Sequence, residues 1–106
     1  MNTSYNNFDT IEKLIFEDGI RIKTIDLHPE LDLMLVVLNT KAVLHTKLSA
    51  YPTLAKAKQK ELYKYELIAD STGIHWPLLD EDLSLKGFLQ DELKNIVKVG
   101  KKSVAA

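Results

Sequence analysis

The residues most able to do chemistry lie together in one short stretch, residues 73–85, which reads GIHWPLLDEDLSL. It contains His75 and three consecutive acids, Asp80, Glu81 and Asp82. A histidine acts as a general base when a second group orients its ring and a nucleophile or water lies within reach. Three carboxylates can also bind a hard cation such as Mg²⁺, although consecutive residues seldom point at one ion. One hypothesis is therefore an enzyme or metal protein centred on His75 and Asp80–Asp82.

The same stretch has a structural interpretation, which we favour. In a β-strand, Ile74 and Trp76 would face the core, and His75 would lie on the opposite face as a polar surface residue. Pro77 would end this strand because it has no N–H for the ladder. The three acids would then precede a helix capped by Ser84, where the helix N-terminus stabilises negative charge.

Other catalytic and metal-binding patterns are missing from the sequence. The chain has no cysteine, which excludes disulfides, thiolate nucleophiles and cysteine-based metal sites. His28, His45 and His75 are separated by 17 and 30 residues, which matches no metal-ligand motif. There is no dinucleotide-binding glycine motif, P-loop or nucleophile elbow. We therefore predict a protein that is not an enzyme and that has no catalytic residue, cofactor or metal.

Charge is segregated along the chain, although the net charge is only −1. Residues 41–64 hold six lysines and one acid, whereas residues 65–92 hold seven acids and one lysine. Blocks of this kind either cancel across a folded surface or form docking surfaces for charged partners. We expect a small protein partner, docked on the acids at 80–82 or on a lysine face formed by Lys56, Lys58, Lys60 and Lys64. A homodimer is also possible.

The lysine face permits a second function. Its four lysines are accompanied by Tyr63 and Tyr65, which flank Lys64, and such a surface could contact the phosphates and bases of nucleic acid. A solvated helix surface explains the same residues, and Arg21 is the only arginine of the chain, which weakens base-specific recognition. Nucleic-acid binding or autoregulation through residues 56–64 therefore stays an alternative.

The N-terminal half of the chain predicts a helix followed by a three-strand meander. A helix is expected over residues 8–17, with Asp9 as N-cap and its apolar residues on one face. Alternation predicts a strand at 20–27, with a bulge near Thr24. A turn at 28–32 leads to a central strand at 33–38, and a hairpin at Asn39–Lys41 leads to a return strand at 42–47.

The C-terminal half predicts two helices around a hairpin. Pro52 should begin a helix that continues to about Tyr65. Short strands at 65–68 and 74–76 follow, joined by a turn at 70–73. A second helix over 85–97 should end at Gly100. Its predicted buried face comprises Leu85, Phe88, Leu89, Leu93, Ile96 and Val97.

These elements fit 106 residues with 45% apolar content as one domain. The expected class is α+β: a small, mostly antiparallel sheet with a three-strand meander, one or two further short strands and two to three helices in one layer. We assign 1–19 to an N-terminal extension, 20–98 to the domain and 99–106 to a flexible tail. The longest apolar run, 33–38, is too short to cross a bilayer, and no signal peptide is evident, so we expect a cytoplasmic location without membrane contact.

One family resemblance rests on three motifs. The first motif is Tyr51 and Pro52 followed by Leu54. The second consists of Gly73, Ile74, His75, Trp76 and Pro77. The third consists of Leu79, Asp80, Glu81, Asp82, Leu83 and Ser84. This arrangement resembles the bacterial family called domain of unknown function 2442, over roughly residues 20–90. The resemblance implies an α+β fold, no established activity and mostly structural motif residues. It also implies a two-gene module in which this chain is the antitoxin-like half.

The chain departs from that family at one place. In many relatives, the middle segment looks like a helix start with the sequence Thr-Pro-Glu-Gln. This chain has Ala57-Lys58-Gln59-Lys60 at that place. Without the proline, the helix that begins at Pro52 is expected to continue.

Overall fold

The structure, a computed structural model, describes residues 4–105 of the chain and the side chains of residues 10–97. This part contains two three-stranded antiparallel sheets and four α-helices, so the α+β prediction is confirmed. The helices are α1 (Ser4–Phe16), α2 (Pro52–Ala55), α3 (Gln59–Leu62) and α4 (Leu85–Ala105).

The first sheet is the predicted meander, with β1 (Ile22–His28), β2 (Leu33–Leu38) and β3 (Val43–Thr46) in the order β1–β2–β3. The pairing of β1 with β2 shifts between Ile22 and Thr24, which confirms the predicted bulge. Side chains alternate on the central strand, where Met34, Val36 and Leu38 are buried and the residues between them are partly exposed. One face of this sheet therefore packs on the core.

The turn between β1 and β2 is fixed by Asp32. A short 3₁₀ helix, Pro29–Leu31, ends there with Asp32 in the left-handed region at φ 54°. The Asp32 carboxylate accepts hydrogen bonds from the Ser49 backbone N–H (2.8 Å) and hydroxyl (2.6 Å). These bonds lower the pKa of Asp32 because they stabilise its ionised form. They also attach the turn to the segment that follows β3.

The prediction of one continuous helix after Pro52 is wrong. Pro52 does begin α2, but α2 ends at Ala55, and α3 begins only after Lys58, which is extended at ψ 151°. The Lys58 backbone N–H donates to Glu61 Oε1 at 2.8 Å, so the Glu61 side chain caps the start of α3. Leu54 and Leu62 are both buried, and this capped break allows the two short helices to bury them separately.

The second sheet contains a strand that the sequence analysis missed. The expected strands are present as β4 (Glu66–Ile68) and β5 (Gly73–Trp76), and β6 (Glu81–Ser84) pairs with the other edge of β5. The acids do precede a helix capped by Ser84, as expected, but Glu81 and Asp82 belong to a strand that was not predicted. In β6, Leu83 pairs with Ile74 of β5, where it packs against the core.

The N-terminal helix begins earlier than expected. Because α1 starts at Ser4, Asp9 is an internal helical residue and the N-cap prediction is wrong. Ile11 and Ile15 are buried as predicted, whereas Leu14 is 38% exposed. The predicted packing of Phe8 lies outside the residues whose side chains are described.

Arg21 joins three parts of the fold. Its Nε donates to Asp70 (3.4 Å) in the β4–β5 turn, and its guanidinium donates to the carbonyls of Ile15 and Ile20. That turn has Ala69, Asp70 and Ser71 at positive φ, and the Ser71 carbonyl accepts from the Ile22 backbone N–H at 2.9 Å. The sole arginine thus has a structural role at the junction of α1, the first sheet and the second sheet.

One apolar cluster is shared by both sheets and by α1–α4. Trp76 is fully buried there, as predicted, and its indole N–H donates to the Leu62 carbonyl at 2.9 Å. The hydrogen bond satisfies the polar atom of the largest core side chain and links β5 to α3. The same core receives the first turn of α4 through Leu85 and Phe88.

Candidate functional site

The apolar stripe of α4 runs from the core onto the surface. Leu85 and Phe88 are 0% and 4% exposed, and Leu89 packs partly against the core. In contrast, Leu93, Ile96 and Val97 are 52%, 57% and 52% exposed. The prediction that all six form a buried face is therefore wrong for the last three. We call Leu93, Ile96 and Val97 the α4 apolar face.

Helix geometry explains why the pattern was misleading. At about 100° per residue, Leu85, Leu89 and Ile96 fall within about 40° of one another around the helix axis, with Leu93 and Val97 beside them. The amphipathic period is thus real along the whole stretch. Only the beginning of the stripe meets the core, and α4 also continues through the predicted stop at Gly100 to Ala105. Periodicity identifies a face but not what covers it.

The beginning of α4 is held by polar contacts as well as by the core. The Ser84 hydroxyl accepts from the Gly87 backbone N–H at 3.0 Å, which confirms the predicted N-cap. The Leu85 backbone N–H donates to the Thr72 carbonyl at 2.8 Å, and Lys86 donates to Glu12 of α1 at 3.0 Å. These contacts fix the direction in which α4 leaves the core.

The α4 apolar face lies in a basic stretch. Residues 93–105 contain four lysines and no acid. Asp91 and Glu92 directly precede this stretch, so acidic charge offsets its positive charge only at the N-terminal end. A basic stretch of helix that carries exposed apolar residues is complementary to an apolar surface with acidic neighbours.

His75 has an orienting partner that the sequence analysis did not find. Residues Glu66, His75 and Asp82 are directly opposite one another across β4, β5 and β6. The His75 Nδ1 lies 2.5 Å from Asp82 Oδ1, and the imidazole is 30% exposed. The hydrogen bond to Asp82 raises the pKa of His75, with smaller contributions from the charges of Asp82, Glu66 and Asp80. The pair is therefore a cross-strand ion pair when His75 is protonated.

A sequence signal for this pair existed. The segments GIHW and EDLS flank the four residues Pro77–Asp80, and both alternate between core and polar positions. A hairpin between them places His75 beside Asp82. We missed it because consecutive acids before a serine cap are also a typical helix start.

The predicted acidic surface is divided by the strand. Asp80 lies in the β5–β6 turn at φ 50°, and Asp82 faces His75. Glu81, opposite Trp76 in the β5–β6 pairing, projects to the other side of the sheet. Asp82 is 67% exposed and pairs with a histidine, so its charge is already balanced when His75 is protonated. The three acids therefore share no single face.

The lysine face is divided as well. All four lysines are exposed, but Lys56 and Lys58 lie in the break between α2 and α3, whereas Lys60 is in α3 and Lys64 follows it. The Tyr63 hydroxyl donates to the Leu27 carbonyl at 3.1 Å, and the Tyr65 hydroxyl to the Ile25 carbonyl at 3.5 Å. Both tyrosines thus fasten this segment to β1.

The remaining motif residues have structural surroundings. The Tyr51 ring packs edge-on against Phe88, with centroids 6.3 Å apart, and Pro52 is the first residue of α2. Gly73 is buried, and a Cβ there would lie 3.1 Å from Ile68. Pro77 is exposed at the end of β5. Most of the 73–84 motif therefore builds the second sheet and the start of α4.

Metal-ligating side chains do not converge in the part of the chain whose side chains are described. Across residues 10–97, no three histidine or acidic side chains are arranged to hold a metal ion. His28 contacts Asp26 (3.1 Å) and Glu30 (3.6 Å), whereas His45 is on β3 and His75 on β5. The hydrogen bond to Asp26 raises the pKa of His28. None of the helices described is both long enough and apolar enough to span a membrane.

Comparisons with known proteins show a family and a fold. Residues 22–92 match the family model described as protein of unknown function (DUF2442). A crystal structure of a protein of unknown function from Rhodospirillum rubrum is similar at 23% identity and TM-score 0.61, over 69% of this chain and 88% of that chain. A solution structure of an uncharacterized Chromobacterium violaceum protein is similar at 20% identity and TM-score 0.62, over 85% and 82%. No curated protein matches.

Proposed function

Since the chain belongs to the DUF2442 family of proteins of unknown function, we propose its function from its own surface: it binds a partner protein, without catalysis, through the α4 apolar face. The observation that carries this proposal is the exposure of Leu93, Ile96 and Val97, each more than half exposed on one side of a helix. Contiguous exposed apolar residues with a polar border are typical of interaction sites.

The size of the face suits the centre of an interface. Fully burying one such side chain stabilises a complex by about 1.5–3 kcal/mol, and roughly half of that is still available at each of these positions. A standard interface covers about 800 Å² on each partner, far more than three side chains provide. The α4 apolar face would therefore be the hot-spot centre of a larger interface.

The charges favour one kind of partner, an amphipathic helix with acidic flanks. Such a helix would pair its apolar stripe with the α4 apolar face and its acids with the lysines of residues 93–105. A second copy of this chain fits less well, because two α4 helices crossing near Ile96 would bring together two stretches of four lysines each. An antitoxin-like role would be one form of this function, with the toxin as the acidic partner.

The test places a photo-crosslinking residue at position 96, with position 59 on α3 as the control. The tagged full-length chain is irradiated in lysate of its source organism, and the crosslinked protein is identified and then purified. We expect one partner crosslinked from position 96 through an acidic amphipathic helix. Its reconstituted binding should weaken at least about tenfold in the double variant Leu93→Gln, Ile96→Gln, which loses about 1.4 kcal/mol or more of apolar contact.

A matched control separates this surface from the acidic turn. Leu78→Gln removes another exposed leucine, 57% exposed, beside Asp80 in the β5–β6 turn, and it should leave binding unchanged. Loss of binding in Leu78→Gln alone would place the interface on the second sheet. Self-association that disappears in the double variant, or a monomer with no crosslink from position 96, would overturn the proposal.

Nucleic-acid binding through the lysine face is less well supported. Base stacking needs aromatic rings that can align with a base, and although Tyr63 is 48% exposed, its hydroxyl and that of Tyr65 donate to carbonyls of β1, which holds both rings to the sheet. Exposed lysines alone would give only salt-sensitive, sequence-independent binding.

Catalysis by His75 also has limited support. The Asp82 carboxylate orients the ring as a general base requires, but the pair lies on the outer face of a strand. A groove of about 630 Å³ between the end of the first sheet and α4 is lined by other residues and does not include His75.

A further inference from the structure

A groove between the end of the first sheet and α4 has the dimensions of a small-molecule site. Its volume is about 630 Å³, within the range of about 300–1,000 Å³ that is usual for ligand pockets. One wall is the segment from His45 through Lys47 to Ala50, and the other is the stretch of α4 from Asp91 to Asn95. Leu33 and Ala50 contribute apolar surface.

The polar groups around the groove are mostly cationic or neutral donors. Lys47 lies on one wall and Lys94 on the other, and neither takes part in an ion pair within residues 10–97. The Lys47 charge does act on Asp32, whose pKa it helps to lower. Asn95 and His45 add side chains that can donate hydrogen bonds.

The one acid of the lining has another neighbour. Asp91 interacts with the phenol of Tyr51, whose pKa is raised chiefly by burial, and Thr46 also contacts that phenol. With Asp91 counted, Lys47 and Lys94 leave the lining with one net positive charge. The groove thus combines two lysines, one from each of its two lining segments, with apolar lining from Leu33 and Ala50.

We propose that this groove binds a small organic anion, a carboxylate or phosphomonoester with an apolar body. The anionic group lies between Lys47 and Lys94, where it accepts hydrogen bonds from both ammonium groups. The apolar body covers Leu33 and Ala50. The groove residues of α4 are on another side of the helix from the α4 apolar face: at about 100° per residue, Lys94 and Ile96 are about 160° apart. The groove and the α4 apolar face are therefore different surfaces of the helix, and Lys94 is the residue that both proposals share.

The test is a ¹H–¹⁵N NMR titration of the full chain with phenyl phosphate. Saturable shifts are expected at the amides of residues 45–47 and 91–95, with weaker affinity for inorganic phosphate, which lacks the apolar body. The double variant Lys47→Gln, Lys94→Gln should raise the Kd at least about tenfold, since it removes both charged contacts. Lys60→Gln, an exposed lysine on α3, should leave the Kd unchanged.

Either of two results would overturn this inference. The first is the lack of any saturable shift at these amides. The second is an unchanged Kd in the double variant, which would mean that phenyl phosphate binds the chain without using the groove lysines. Carboxylate and phosphate sources are distinguished by repeating the titration with benzoate.

Discussion

The two halves of the apolar stripe on α4 have the same sequence pattern and opposite surroundings. Leu85 and Phe88 are buried against both sheets' shared core, whereas Leu93, Ile96 and Val97 are exposed in a lysine-rich stretch. Apolar residues at helical spacing predict only that the helix has an apolar side, and they do not predict what covers that side. When the apolar side of a helix continues beyond the core of its own chain, the exposed apolar residues are best explained as a binding surface.

The largest expected effect is at the buried end of the stripe. Leu85→Ala should lower the free energy of unfolding by about 2–5 kcal/mol, because it removes a fully buried side chain and leaves a cavity. Ile96→Ala, the same kind of truncation on the exposed half, should change it by no more than about 0.5 kcal/mol. Urea denaturation of both variants measures the contrast. Equal losses would mean that Ile96 is buried in solution, and the comparison would fail.

A smaller effect is expected at the cap that begins the helix. Ser84→Ala should lower the free energy of unfolding by about 1 kcal/mol, since the Gly87 N–H loses its acceptor. Gln90→Ala, on the exposed surface of the same helix, is the control and should be within about 0.5 kcal/mol of the unchanged protein. The prediction would be contradicted if Ser84→Ala lowered the helix content of α4 but left the free energy of unfolding of the whole chain unchanged.

The smallest expected effect on stability concerns the contact between His75 of β5 and Asp82 of β6, the strand that directly precedes α4. This effect depends on pH. The pKa of His75 is raised above 6.5 in the folded chain by Asp82, so folding favours the protonated ring. This contribution is fully present below the unfolded pKa and is lost as the pH rises through the folded pKa. His75→Gln should therefore destabilise the protein more at about pH 5.5 than at about pH 8.5.

Asp82→Asn provides the matching test of the same contact. This substitution removes the carboxylate that raises the pKa of His75. The destabilisation that it causes should therefore become smaller as the pH rises from about 5.5 to about 8.5. Thermal unfolding at the two pH values measures both variants. A destabilisation of His75→Gln that is identical at both values would show that the ring contributes by packing rather than by charge.

Much of the first sheet could be predicted from local signals. The alternation of Ile22, Ile25 and Leu27, with its interruption near Thr24, contained both the strand and the bulge. Pro29 and Asp32 marked the turn through their backbone preferences. Each of these features is decided within a few neighbouring residues, which is why the sequence reveals them.

The second sheet and the middle helices were less predictable because distant contacts decide them. Strong helix formers in residues 53–65 favoured one helix, but the burial of Leu54 and Leu62 and the capping of α3 by Glu61 outweighed that weak preference. Glu81–Ser84 became a strand because it pairs with β5. Strand pairing is a property of two segments, and a single segment does not contain it.

The sequence by itself determined the α+β class, the meander, the burial of Trp76 and the Ser84 cap, since composition, alternation and side-chain chemistry act locally. Only the tertiary structure decided that Asp82 meets His75, that Lys47 and Lys94 line one groove, and that the α4 stripe leaves the core after Leu89. Those outcomes depend on which surfaces the packed elements cover. Packing is a relation between segments far apart in the chain, so no periodicity within one segment can specify it.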